Sequence, residues 1–166
     1  MVQSKSPAPT IAELEDQEQR LQFTRFDNHD AWKLGASLVE LATTRELAVT
    51  IDIRRHGQQL FHAALPGTTP ENDSWIERKV RVVDRFAASS LLVGTRLAES
   101  GRTLDQDLGV DPVLYAAHGG CFPLRIRDVG VVGTVAVSGL PQIQDHSLVV
   151  EAIESAIAAE SNAAHH

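Results

Sequence analysis

The hydrophobic positions change period several times along the chain, and each change marks an element. Leu47, Val49, Ile51 and Ile53 alternate with Ala48, Thr50, Asp52 and Arg54. That two-residue period predicts a strand with one buried and one polar face. His56-Gly57 supplies a turn, and Gln58 to Leu65 reads as the return strand of a hairpin, stopped by Pro66-Gly67-Thr68-Thr69-Pro70. The pattern recurs later: Phe122, Leu124 and Ile126 alternate with Pro123, Arg125 and Arg127, and Asp128-Val129-Gly130 turns the chain. Val131 to Ser138 then returns as a strand, in which Gly133 marks a bulge or a close backbone approach.

Around these hairpins the period lengthens to that of a helix. Ile76, Val80, Val83 and Ala87 form an apolar stripe over about Glu71 to Ser89, with Glu77, Arg78, Arg81 and Arg85 on the opposite face. Thr69 before Pro70, and Ser74 with Glu77, are competing start signals for it. Leu91 to Glu99 predicts a shorter helix ending at Gly101, and Arg102 to Pro112 a polar surface loop. Nearer the amino terminus, Ile11 to Leu21 reads as an acidic, exposed helix, and Phe23 and Phe26 as residues tucked into the body. Asp27-Asn28 caps a helix over Asp30 to Ala42, in which Gly35 permits a close neighbour. Ser147 to Ala159 is the terminal helix, with Asp145 as its N-cap.

Residues 1–10 read as a flexible lead-in, 11–160 as a single domain and 161–166 as a tail. Two hairpins joined by a helical crossover predict an α+β domain, an antiparallel sheet with helices packed on it in two or three layers. The first and last strands would then be central neighbours, as in profilin-like or PAS-like folds.

Composition narrows the class. With 166 residues, 43% of them hydrophobic and 22% charged, the chain is globular. A net charge of −7 argues against binding nucleic acid or an anionic membrane. The lone cysteine, Cys121, excludes an internal disulfide and suits a reducing compartment. No apolar run approaches the ~20 residues of a membrane span, and the first residues lack the apolar core of a secretory signal. The expectation is a cytoplasmic protein.

Candidate chemistry gathers at His118-Gly119-Gly120. The glycines let backbone amides approach a ligand closely, and the imidazole suits iron ligation or proton transfer. A turn-forming loop in which His118 bonds backbone explains the same residues. Lys79 could neutralise a carboxylate, or form a solvated or intersubunit ion pair. His146 would form a metal site with His118 only if their loops converge, at no recognised ligand spacing, and no metal is assigned. Ser138 and Gly139 complete the candidate ligand-binding set. Cys121 is expected to be a buried, inert thiol, and Trp32 and Trp75 core anchors or subunit contacts. No catalytic set emerges: Ser138-Gly139 is not a nucleophile elbow, and no phosphate loop is present.

Gly119-Gly120, Pro123-Leu124, Gly130-Val131-Val132-Gly133, Val137-Ser138-Gly139 and Asp145 resemble the glycine pattern of the haem-degrading domain family, over roughly Leu38 to Ala158. That family includes glycolate-utilisation-operon proteins and a haem-binding sensor accessory protein. Phe26-Asp27-Asn28, Leu65 to Pro70, Trp75 to Lys79 and Tyr115 to His118 are similar to an uncharacterised cytosolic branch of it found in bacteria and fungi. The resemblance implies a profilin-like fold, homo-oligomers from dimers to larger rings, and, in some members, haem binding and slow haem breakdown. It puts a haem propionate among the groups Lys79 could neutralise. This chain departs from it in lacking the leader and basic amino-terminal region of the haem-sensing members, and any cysteine-based haem motif. The expected function is binding of a small anionic or haem-like ligand near the His-Gly-Gly loop. The alternative is a non-catalytic adaptor that engages protein partners through its oligomeric surface, its acidic first helix and its charged loop.

Overall fold

Why the two hairpins make one sheet is visible in their pairing. The computed structural model describes residues 7–165. In it β1 (Thr50–Arg55) and β2 (Gln58–Ala64) form the first hairpin, and β3 (Cys121–Ile126) and β4 (Gly130–Ser138) the second. The sheet order is β2-β1-β4-β3, antiparallel throughout, so the first and last strands are the central neighbours. Gly133 is a close approach: a Cβ there would strike the Arg54 carbonyl across the strand pair. The β3–β4 register also slips between Leu124 and Arg125, so the glycine sits beside a bulge.

Helices cover both faces, giving three layers. On one face lie α2 (Asn28–Thr44) and α6 (Gln142–Ala163), packed on Ile51, Ile53, Phe122, Leu124, Val135 and Val137. Each fully buried side chain of that kind contributes about 1.5–3 kcal/mol. On the other face lies α3 (Pro70–Phe86), whose Ile76, Val80 and Val83 meet Cys121 and Ala136. α3 is also tied to the central strand β1 by Arg54, whose guanidinium bonds both Asp52 and Glu77. A third apolar cluster joins α1 (Ile11–Arg20), α4 (Ser90–Ser100) and α5 (Leu104–Leu108) through Leu14, Leu92 and Leu104.

Several expectations change. The polar stretch after Gly101 holds α5, because Leu104 and Val110 find apolar partners on α4. The first helix is no free acidic arm: Leu14 is buried and the Glu18 carboxylate accepts the Ser89 N–H at the start of α4. Burial pushes the Glu18 carboxyl above its usual value, although that hydrogen bond opposes the shift. Of the lead-in, residues 1–6 lie outside the described residues, while Thr10 and Glu13 form a capping box that starts α1. Thr69, not Ser74, precedes α3, with Asn72 Oδ1 accepting the Thr69 N–H at 2.9 Å. The terminal helix starts at Gln142, after Pro141, and runs through the first half of the expected tail to Ala163, with His166 outside the described residues. Asp145 therefore lies inside the first turn of α6 and is not its N-cap. Neither tryptophan is core: Trp32 is 62% exposed, its ring edge-on to Phe61 at 5.6 Å, and Trp75 lines a cavity.

Candidate functional site

Three chain segments meet at one end of the sheet. They are the first turns of α3, the loop that enters β3, and the loop that leaves β4 for α6. Between them is a cavity of about 260 Å³, walled by Asn72, Trp75, His118, Ser138 and Gln142 and floored by Lys79 and Asp145. Helices of 17 and 22 residues both present their N-terminal turns to it. Unpaired amides at a helix start carry a partial positive charge, so the cavity favours an anion.

The floor is a buried ion pair. Lys79 is only 2% exposed, and its Nζ donates to the Val137 carbonyl at 2.7 Å and the Gly119 carbonyl at 3.2 Å. The Asp145 carboxylate lies 3.6 Å away and also accepts the Leu140 N–H at 2.9 Å and the Gly139 N–H at 3.4 Å. The ammonium thus makes two hydrogen bonds to carbonyls and one ion pair. Burial pushes Lys79 below its ordinary value and raises Asp145 to about 6, and the pairing opposes both shifts. The expectation of a solvated or intersubunit Lys79 is corrected: it joins α3, the β3 loop, β4 and α6. Its position was legible, since residue 79 follows Ile76 by three and precedes Val83 by four, inside the apolar stripe.

Gly120 is explained by that lysine. Its φ is +127°, and a Cβ would meet the Lys79 ammonium and the Val137 carbonyl. Cys121, next in line, is fully buried and its thiol is pushed up by burial, as expected of an inert cysteine.

His118 stands at the rim. Its ring centroid lies 5.3 Å from that of Trp75, and the Arg78 guanidinium lies 4.5 Å over the same Trp75 ring. The residue stays exposed overall, but the buried part of the ring, and then Arg78 and Lys79, hold its pKa below the usual imidazole value. It is neutral at pH 7. Neither ring nitrogen bonds another described residue, and the loop is instead held by Gly119 N–H donating to Gln142 Oε1 at 3.0 Å. Ser138, 4% exposed at the end of β4, has a hydroxyl with no partner among the described residues.

Of the expected set, His118, Gly119, Lys79, Ser138 and Gly139 line the cavity and Gly120 backs it. His146 does not join them. Successive helix residues point about 100° apart, so while Asp145 faces the cavity, His146 faces α1. There its Nε2 meets Gln17 Oε1 at 2.8 Å, and burial pushes its pKa down to about 4. The two histidines do not converge, and no group of three potential metal ligands exists among the described residues. Asn72 and Gln142 were not foreseen, because nothing in a lone amide side chain signals which loop it will meet.

A profile of the family described as Haem degrading protein HbpS-like matches residues 26–154. A UPF0303 protein of Streptomyces coelicolor is 62% identical over 147 residues, 89% of this chain and 93% of its own. Among solved structures, that of Ybr137w protein has a TM-score of 0.82 at 31% identity, over 89% of this chain and 87% of the other. The PduOC:heme complex has a TM-score of 0.66 at 21% identity, over 80% of this chain and 94% of the other, a likeness of fold alone. The chain belongs to the HbpS-like haem-degrading family.

Proposed function

We propose that this protein binds a small anionic molecule in the cavity between α3 and α6. One observation carries the reading. The hydroxyl of Ser138 and the imidazole of His118 lack partners among the described residues and face a cavity at which two helix N-termini converge. The charges in the floor, Lys79 and Asp145, already satisfy each other. Of the acidic side chains in the two first turns, Glu71 and Asp73 lie outside the cavity lining and Asp145 is paired, so free donors remain to orient a ligand.

Size selects among anions. At about 260 Å³ the cavity falls below the ~300–1,000 Å³ typical of drug-sized ligands, which suits a small carboxylate or phosphate. One solved relative of the fold holds haem. The neutral His118 imidazole suits an axial ligand, but the cavity does not fit an enclosed porphyrin.

The reading extends to a homo-oligomer in the cytoplasm. The exposed Trp32 beside Phe61 is a side chain that a second copy would cover. Among the described residues no helix is long and apolar enough to cross a membrane. The alternative, a non-catalytic adaptor, would use the outer side of α1, where Glu13, Glu15 and Asp16 stay exposed while Leu14 and Glu18 pack inward.

Calorimetric titration with propionate and inorganic phosphate tests the site. Saturable binding is expected, weakened in Ser138→Ala by about 1.5–3 kcal/mol, tenfold or more, the worth of one hydrogen bond to a charged group. Absence of binding to either anion, together with a Soret shift on adding hemin that His118→Ala removes, would replace this reading with haem held at the rim.

A further inference from the structure

Behind His118 lies a second hollow that the first site does not use. It is about 400 Å³ in volume and sits between α4, α5 and the segment before His118, with Leu97, Ala98, Leu104 and Tyr115 in its lining. One side chain, His118, lines both cavities. Arg78 lines the second while its guanidinium covers the Trp75 ring that walls the first, so Arg78, Trp75 and His118 stand together where the two spaces adjoin.

The chemistry of the two spaces differs. The first is polar, faced by helix starts, a serine hydroxyl and carboxamides. The second is lined mainly by aliphatic and aromatic groups, with Arg78 at its junction with the first and Arg102, Thr103 and Asp105 elsewhere in its lining. At that junction Arg78 donates one N–H to the Pro112 carbonyl at 2.9 Å, while its buried Nε has no partner.

We propose that the two cavities form one bipartite site for a carboxylate bearing an aliphatic or aryl-alkyl tail. The carboxylate lies in the first cavity against Ser138, and the tail passes His118 and Arg78 into the second. This rests on the anion-binding reading above and adds to it the class of ligand. Neither space alone suits such a molecule: the first is too small for a tail, and in the second the Arg102 guanidinium is already paired with Asp107. Their volumes taken together match that of an ordinary small-molecule site. His118, neutral and unbonded, is the side chain a tail must displace or pack against.

The test compares propionate, hexanoate and 4-phenylbutyrate by calorimetry on the full chain and on Ala98→Trp. Ala98 is an exposed helix position, so the larger ring fills the second cavity without entering the core. A thermal melt of the variant checks its fold. Each methylene that leaves water adds roughly fourfold in affinity, so hexanoate and phenylbutyrate should bind at least tenfold tighter than propionate. Ala98→Trp should erase that gain and leave propionate unchanged. Equal affinities across the series, or a gain that survives Ala98→Trp, would overturn the bipartite site and leave the anion site standing. Binding of none of the three would overturn both.

Discussion

Toward α2 and α6, the strands present Ile51, Ile53, Phe122, Leu124, Val135 and Val137. Toward α3, the alternate positions of the same strands present Thr50, Asp52, Arg54, Thr134 and Ser138, relieved by Cys121, Pro123 and Ala136. The first face is held by burial of apolar area, which is non-directional and tolerant of small adjustments. The second buries groups that each need a partner in a particular place. Asp52 and Arg54 find theirs in each other and Glu77, and Lys79 finds its own in Asp145 and two carbonyls. Thr50 and Thr134 find none. The candidate site lies at the end of this polar layer, where Ser138 meets the loops and packing leaves a hollow. Polar groups buried at a cost on one face are what gives the molecule a place to bind something.

The largest expected effect breaks the polar face at its floor. Lys79→Ala leaves the Asp145 carboxylate buried without a counter-charge, and should cost about 3–5 kcal/mol in urea unfolding at pH 7. Lys79→Met combined with Asp145→Leu removes both charges and should recover most of that loss. A single variant as stable as the parent would show that the pair does not hold the layer together.

His146 sharpens the contrast from the apolar side, where it is the polar intruder, 2% exposed and 5.9 Å from the Phe122 ring. Burial holds its folded pKa near about 4, against 6.5 for a free imidazole. Between those values the unfolded chain binds more protons, so this contribution is whole above pH 6.5 and is lost as pH falls toward 4. His146→Gln keeps an amide beside Gln17 but cannot titrate. The parent's stability relative to that variant should therefore fall by up to about 3 kcal/mol across the window. A difference independent of pH would mean that the imidazole is not held neutral.

The smallest effect has the opposite sign. The Thr50 hydroxyl is buried and unpaired, so Thr50→Val replaces a costly polar group with a methyl of similar shape. Stability should rise by about 1 kcal/mol, read as a higher denaturant midpoint with an unchanged slope. A loss of that size would reveal a hydrogen-bond partner and make the polar face better satisfied than its geometry indicates.

Much of the frame was legible along the chain. Alternation at Leu47 to Arg54 and Phe122 to Arg127 marked the hairpins because a strand's two faces meet different surroundings whatever their partners are. Asp27 and Gly101 marked helix ends because capping is a local event. The site was legible in part. The Gly119-Gly120 pair pointed to a close approach, but the approaching groups are distant in sequence: the Gln142 carbonyl at Gly119 and, at Gly120, the Lys79 ammonium from α3.

What the sequence by itself determined is therefore the set of elements, the antiparallel character of the sheet and the residues at which backbone must come close. These follow from period, turn chemistry and the missing Cβ of glycine, all of which act within a few residues. Only the tertiary structure decided that Lys79 is buried against Asp145, that His118 is left free while His146 turns toward α1, and that Trp75 walls a cavity. Each depends on which surface a helix meets and through what angle. That outcome is set by the packing of the three layers at once, and no short stretch of residues encodes it.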